Sequence, residues 1–133
     1  MSELRTLALA ASFQSYAPHS QLSVGAAVRS SSGACYSGCN VENASFSIGG
    51  CAERAAISAA VLAEGAAFRL AAIAVVARDA QGRQLAVPPC GACRQAIVEF
   101  GAEAEVEFLG SAGDWQTVRA SALLPYQFVL EAR

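Results

Sequence analysis

The sequence predicts an α/β domain built in three layers, α-β-α, with helices on both faces of a mixed sheet of roughly five strands. Three observations predict it. Strand-like segments alternate with helical ones after an initial hairpin. The apolar, β-branched run Leu70 to Arg78 reads as a buried strand. Two segments that open at Cys51 and Gly91 read as helices, and each stops at a glycine, Gly65 and Gly101. At 133 residues the chain is expected to be a single domain spanning 1–133, long enough for one core and too short for two.

The elements follow in order. Ser2 to about Tyr16 reads as a helix, capped by Ser2, with Glu3 in its first turn and Leu4, Leu7 and Ala11 on one face. Ala17-Pro18 ends it, because a residue before proline is pushed out of the helical region. Val24 to Arg29 and Ala34 to Val41 form a hairpin around Ser31-Ser32-Gly33. The small residues Gly25, Ala26 and Ala27 suggest close packing from a helix or a subunit. Asn40 to Gly50 is irregular and carries the hydrogen-bonding side chains Asn40, Glu42 and Asn43. Cys51 to Glu64 is helical. Asp79-Ala80-Gln81-Gly82 turns the chain after the buried strand, and Pro88-Pro89 imposes an extended approach to Cys90. Gly91 to Phe100 is a helix, Ala104 to Leu109 a strand and Gln116 to Arg119 a short edge strand. Ser121 is placed to cap a last helical turn, Ala122 to Leu124, closed by Pro125. His19, the one histidine, reads as a polar loop residue, since no glutamate follows it at metal-site spacing.

Composition excludes several classes. Lys and Arg total 9 against 11 Asp and Glu, for a net charge of −2. That balance does not favour phosphate backbones, so no nucleic-acid partner is expected and a small neutral substrate fits better. No apolar run reaches the length of a bilayer span, and no basic segment followed by an apolar core opens the chain. The expectation is a cytoplasmic protein with no membrane partner. The 5 cysteines are an odd number without signs of secretion, which points to metal binding or catalysis rather than a disulfide framework.

Cys90-x-x-Cys93 is half of a zinc site, and two completions are open. A structural site adds Cys35 and Cys39, closing the ion with four thiolates. Those two lie four apart on a strand, about 13 Å along it, so both reach one ion only if the strand breaks. A catalytic site adds Cys51 alone, leaves a fourth position for water, and accounts for Glu53. Cys51-Ala52-Glu53 at a helix start sets a carboxylate near the metal but not on it, where it can carry the water's proton to a substrate nitrogen. Helix N-termini favour thiolate over thiol. Arg54 and Arg94, each beside a candidate ligand, are expected to donate hydrogen bonds to the sulfurs and moderate their charge. Cys-x-Glu followed by Pro89-Cys90-x-x-Cys93 matches the signature of zinc deaminases.

Over nearly its whole length the sequence resembles the small, homotetrameric cytidine deaminases. The resemblance runs from Tyr16-Ala17-Pro18 through Val24-Gly25-Ala26-Ala27, Gly38-Cys39-Asn40-Val41-Glu42-Asn43-Ala44, Cys51-Ala52-Glu53-Arg54 and Pro89-Cys90-Gly91-Ala92-Cys93-Arg94-Gln95 to Leu123-Leu124-Pro125. Cysteine rather than histidine at 51 is similar to the three-thiolate branch. The resemblance implies one Zn2+ per chain on Cys51, Cys90 and Cys93. It implies that Glu53 carries a proton from water to N3 of the pyrimidine while C4 is attacked, and then to the departing amine. Asn40 and Glu42 match the pair that bonds the ribose 3′-hydroxyl. Phe128 matches an aromatic that stacks on the base in a neighbouring subunit, and Ala44 to Phe46 a loop that approaches a neighbour's sugar. Leu22 stands where relatives usually have Phe against the substrate, and Phe46 where some have Tyr. The implied activity is deamination of cytidine and 2′-deoxycytidine to uridine and 2′-deoxyuridine in pyrimidine salvage. A modified cytosine nucleoside, such as an aminoacyl-nucleoside antibiotic, is the alternative substrate, for which Leu22 leaves room and against which the Asn40-x-Glu42 pair argues. A non-enzymatic module stapled by zinc through Cys35 and Cys39 is the alternative outside catalysis.

Overall fold

The computed structural model describes residues 2–131. Helix α1 (Glu3–Ser12) leads into strands β1 (Ser23–Ser30) and β2 (Cys35–Cys39). Helix α2 (Ala52–Glu64), strands β3 (Leu70–Arg78) and β4 (Gln84–Leu85), helix α3 (Gly91–Phe100), strands β5 (Glu105–Leu109) and β6 (Trp115–Arg119) and the short helix α4 (Ala120–Leu123) follow. The sheet runs β2-β1-β3-β5-β6. The sixth strand, β4, pairs with the end of β3 that β5 leaves uncovered, Ala77 opposite Leu85 and Arg78 opposite Gln84. Every pairing is antiparallel except β3 with β5. That parallel pair requires a crossover, which α3 supplies.

Two apolar faces make the three layers. Val28 of β1, Ile73 and Val75 of β3 and Val106 of β5 pack with Ile57 of α2 and Ile97 of α3. Ala27, Ala74 and Val76 point the other way, against Leu4 and Ala8 of α1. Alternation along β1 and β3 thus feeds both faces of a strand pair covered on each side. Glycine sets the approach of two helices. A Cβ on Gly25 would lie 1.9 Å from the Ala8 carbonyl oxygen, so α1 rests on the backbone of β1. A Cβ on Gly38 would lie 2.4 Å from the Ala56 nitrogen, where α2 meets β2. The close packing expected around Gly25 is therefore supplied by a helix.

Several boundaries differ from expectation. Ser2 caps α1 by accepting from the Arg5 amide, but the helix ends at Ser12 instead of about Tyr16. The Tyr16 amide donates to the Asn40 carbonyl (3.1 Å) and its carbonyl accepts from the Glu42 amide (2.8 Å), which draws this stretch into the sheet's loop layer. β2 stops at Cys39, and Val41 instead exchanges hydrogen bonds with Gly50 at 3.0 and 2.8 Å. The last helix spans Ala120–Leu123 rather than Ala122 to Leu124, and Ser121 does not cap it; Arg119 holds the cap position without a side-chain capping bond. The strand β4 was not expected at all.

Candidate active site

Both helix starts that carry cysteines are built alike. Cys51 and Cys90 occupy the N-cap positions of α2 and α3 in extended backbone, and neither uses its side chain to cap. The exchange between Val41 and Gly50 closes the preceding loop and fixes where Cys51 enters α2. The buried Pro89 delivers Cys90, and one turn into α3 Cys93 is fully buried. The sulfurs of Cys51, Cys90 and Cys93 all lie within 4.8 Å of one another. Four-coordinate zinc with Zn–S bonds near 2.3 Å sets its sulfurs about 3.8 Å apart, a separation compatible with this trio. Cys35 and Cys39 stand outside the group. β2 pairs regularly with β1 from Arg29 opposite Cys35 to Gly25 opposite Cys39, without the break a four-thiolate site needs.

The electrostatics of the trio also call for a cation. Burial pushes the Cys93 thiol up, and the charges of Glu53 and Cys51 push it further. Burial works on Cys90 in the same direction, but hydrogen bonds from Cys93, Cys51 and the Ala92 amide outweigh it and leave Cys90 below the usual thiol value. One thiolate is thus favoured at the expense of its neighbour, and three together need a positive ion among them. Arg54 contributes part of that charge, since its Nη2 donates to Cys51 Sγ at 3.5 Å. Arg94 does not take the part expected of it. Its Nε donates to the Pro89 carbonyl (2.8 Å) and its Nη1 to the Leu123 carbonyl (3.1 Å), tying the ligand loop to α4 instead of bonding a sulfur.

Beside the trio lies a cavity of about 330 Å³. Cys51, Cys90 and Glu53 line it, and so do Asn40, Glu42 and Phe46. Leu22, Val24, Val75 and Val87 give it apolar walls. Val24, Val75 and Val87 carry no local sequence signal of a site; only the sheet brings them beside Glu53. Among the described residues Ala44, Phe128, Arg54 and Arg94 do not line this cavity. Phe128 is 68% exposed and Phe46 79%.

Glu53 is 4% exposed. Burial raises its carboxyl above the usual carboxylate range, against its own backbone amide, the Cys93 thiol and the Arg54 charge. A carboxyl held in that condition exchanges protons closer to neutrality than a solvated one. Asn40 is a cross-brace: Oδ1 accepts from the Val24 amide and Nδ2 donates to the Leu22 carbonyl, both at 2.8 Å. Glu42 accepts from the His19 amide (2.9 Å), the Ser20 amide (3.1 Å) and the Ser20 hydroxyl. These bonds, the Ser20 hydroxyl foremost, hold its carboxyl below the usual range. His19 is a loop residue, its ring edge-on to Phe46 at 5.5 Å between centroids.

A layered α/β domain with three thiols and a buried carboxyl at two helix starts defines the class of zinc-binding deaminases. Residues 1–108 match the model of the cytidine and deoxycytidylate deaminase zinc-binding region. The chain is 42% identical over 119 residues to a cytidine deaminase of Sporosarcina psychrophila, covering 89% of this chain and 83% of that protein. Its fold is similar to the crystal structure of cytidine deaminase from Burkholderia pseudomallei, with a TM-score of 0.82 and 40% identity, covering 96% of this chain and all of that one. The cytidine deaminase of Mycobacterium tuberculosis superposes with a TM-score of 0.78 at 37% identity, covering 96% of this chain and 95% of that one. The chain belongs to the cytidine and deoxycytidylate deaminase family, a family of zinc-binding hydrolases.

Proposed function

We propose that the chain is a single deaminase domain that converts cytidine and 2′-deoxycytidine to uridine and 2′-deoxyuridine with release of ammonia. The observation that carries this reading is a buried Glu53 carboxyl lining a cavity of about 330 Å³, beside three sulfurs within 4.8 Å of one another. Cys51, Cys90 and Cys93 are the residues that would hold one zinc per chain; bound there, the ion supplies a Lewis acid that brings the pKa of water from about 16 to about 7.

Glu53 accepts the proton of the attacking water and passes it to N3 of the ring as the C4–O bond forms. The second proton of that water then travels by Glu53 to the exocyclic amine. The C4–N bond breaks, ammonia leaves, and the ring keeps its proton on N3 and its new carbonyl at C4. The walls formed by Leu22, Val24, Val75 and Val87 suit a flat base. Glu42 retains acceptor capacity for a sugar hydroxyl, and Asn40 retains one amide proton beyond its brace.

The enzyme acts as a homotetramer in the cytoplasm, within pyrimidine salvage. The exposure of Phe128 and Phe46 supports a site completed by a neighbour, with Phe128 stacking on its base and Ala44 to Phe46 approaching its sugar. Five free cysteines, three of them grouped as ligands, suit a reducing compartment. Among the described residues no helix is long and apolar enough to cross a membrane.

The test is ultraviolet absorbance of cytidine, 2′-deoxycytidine and substituted cytosine nucleosides with purified protein, alongside a zinc count. Conversion of the two simple nucleosides with one zinc per chain is the expected result. Conversion of a substituted nucleoside alone would assign the alternative substrate.

A further inference from the structure

Glu42 reaches the cavity from an irregular loop, and its aim depends on a neighbouring segment of the chain. The Ser20 hydroxyl donates to one carboxylate oxygen, while the His19 and Ser20 amides donate to the other at 2.9 and 3.1 Å. The same hydroxyl oxygen accepts from the Leu22 amide at 3.0 Å. Ser20 therefore joins two residues that line the cavity, Glu42 and Leu22. Between them Gln21 holds φ at 58°, a left-handed backbone that a non-glycine residue rarely adopts. Its amide is fastened to the Ala17 carbonyl at 3.0 Å. Asn40 then fixes the Leu22 carbonyl and the Val24 amide, so the segment from Ser20 to Val24 is held at both ends.

Glu42 borders more than the substrate cavity. A second cavity of about 370 Å³ adjoins the first, lined by His19, Ser20, Glu42, Asn43, Phe46 and Gly49. Without the Ser20 hydroxyl, one oxygen of the Glu42 carboxylate keeps no partner among the described residues, and the side chain is free to move between the two spaces.

We propose that Ser20 is a positioning residue, whose hydroxyl holds the Glu42 carboxylate at the mouth of the substrate cavity and thereby sets discrimination for the sugar hydroxyl. The inference rests on the reading of Glu42 as the partner of the ribose 3′-hydroxyl. Ser20 touches no reacting atom. Its effect is confined to substrates that carry the hydroxyl Glu42 accepts from.

The experiment measures kcat/KM for cytidine and 3′-deoxycytidine in the wild type, Ser20→Ala and Ser20→Thr, with zinc content of each. The wild type is expected to favour cytidine. In Ser20→Ala the ratio of the two kcat/KM values falls about tenfold, the worth of one hydrogen bond to a charged group. Ser20→Thr, which keeps the hydroxyl, restores the ratio. A general disturbance of the loop would lower both substrates alike and leave the ratio in place, and that result overturns the proposal. So does a ratio lost equally in the alanine and threonine variants. A wild type indifferent to the 3′-hydroxyl would overturn the reading of Glu42 itself, and the proposal with it; a discriminating wild type with an unaltered Ser20→Ala ratio would overturn the proposal alone.

Discussion

The side chains around the cavity divide into those that face it freely and those already engaged by the chain. Glu53 is nearer the first kind: it lines the cavity, and burial raises its carboxyl despite its own amide, the Cys93 thiol and the Arg54 charge. Asn40 is of the second, since both ends of its amide hold β1 and the residue preceding it. The cysteines were legible as candidates because spacing and order are properties of the chain: Cys51-x-Glu53 and Cys90-x-x-Cys93 each open a helix. The walls at Val75 and Val87 were not, because an apolar residue in a strand looks the same whether it lines a cavity or a core. Arg94 shows the opposite error, where adjacency to Cys93 suggested a sulfur partner and the helix turned the guanidinium to Pro89 and Leu123 instead. A carboxylate remote from the site gives a residue-scale prediction. Glu64 accepts from the hydroxyls of Ser30 (2.7 Å), Ser32 (2.8 Å) and Tyr36 (2.8 Å). Those bonds hold it below the usual value of 4.5, Ser30 having the largest effect. Its folded pKa is depressed, so its stabilisation is complete above the unfolded pKa and disappears as pH falls through the folded one. Urea midpoints measured downward from pH 6 should therefore decline less steeply in Glu64→Gln than in the wild type, with the two curves converging at the acid end.

At the scale of elements, agreement followed punctuation. The bounds of β3 and α3 match expectation, β3 being followed by the Asp79 turn and α3 bounded by Pro89 and Gly101. α1 was overextended because the residues after Ser12 carry no breaker until Pro18, while the hydrogen bonds that end the helical run come from Asn40 and Glu42, far along the chain. β4 was missed because two residues are too few for periodicity to register. These errors leave the site intact, since its geometry depends on where α2 and α3 begin. The seat of α1 gives a prediction here. A methyl at position 25 would stand 1.9 Å from a backbone oxygen that no rotamer change can move. Gly25→Ala should cost about 1–3 kcal/mol of stability as α1 lifts from the sheet. The midpoint of urea unfolding reads the change, and an unchanged midpoint would mean that α1 is not seated as described.

For the whole molecule, the proposed tetramer would cover apolar side chains that one chain leaves open, among them Phe46, Ile48, Tyr126 and Phe128. Sedimentation should then give the mass of four chains. If Phe128 serves a neighbouring site, two defective variants can repair one another. Glu53→Gln and Phe128→Ala, refolded as a mixture, should regain activity that neither shows alone, because some mixed sites take an intact Glu53 from one chain and an intact Phe128 from another. A mixture no more active than its parts would place Phe128 outside any shared site. In the proposed reaction Glu53 moves the protons while the three cysteines hold the metal. It is tested most directly by cytidine turnover and zinc content in Glu53→Gln. Glu53→Gln should hold one zinc per chain, as in the wild type, with uridine formation reduced at least about 100-fold, the smaller end of what a positioned acid–base group contributes. Near-normal turnover by a zinc-loaded Glu53→Gln enzyme would contradict it.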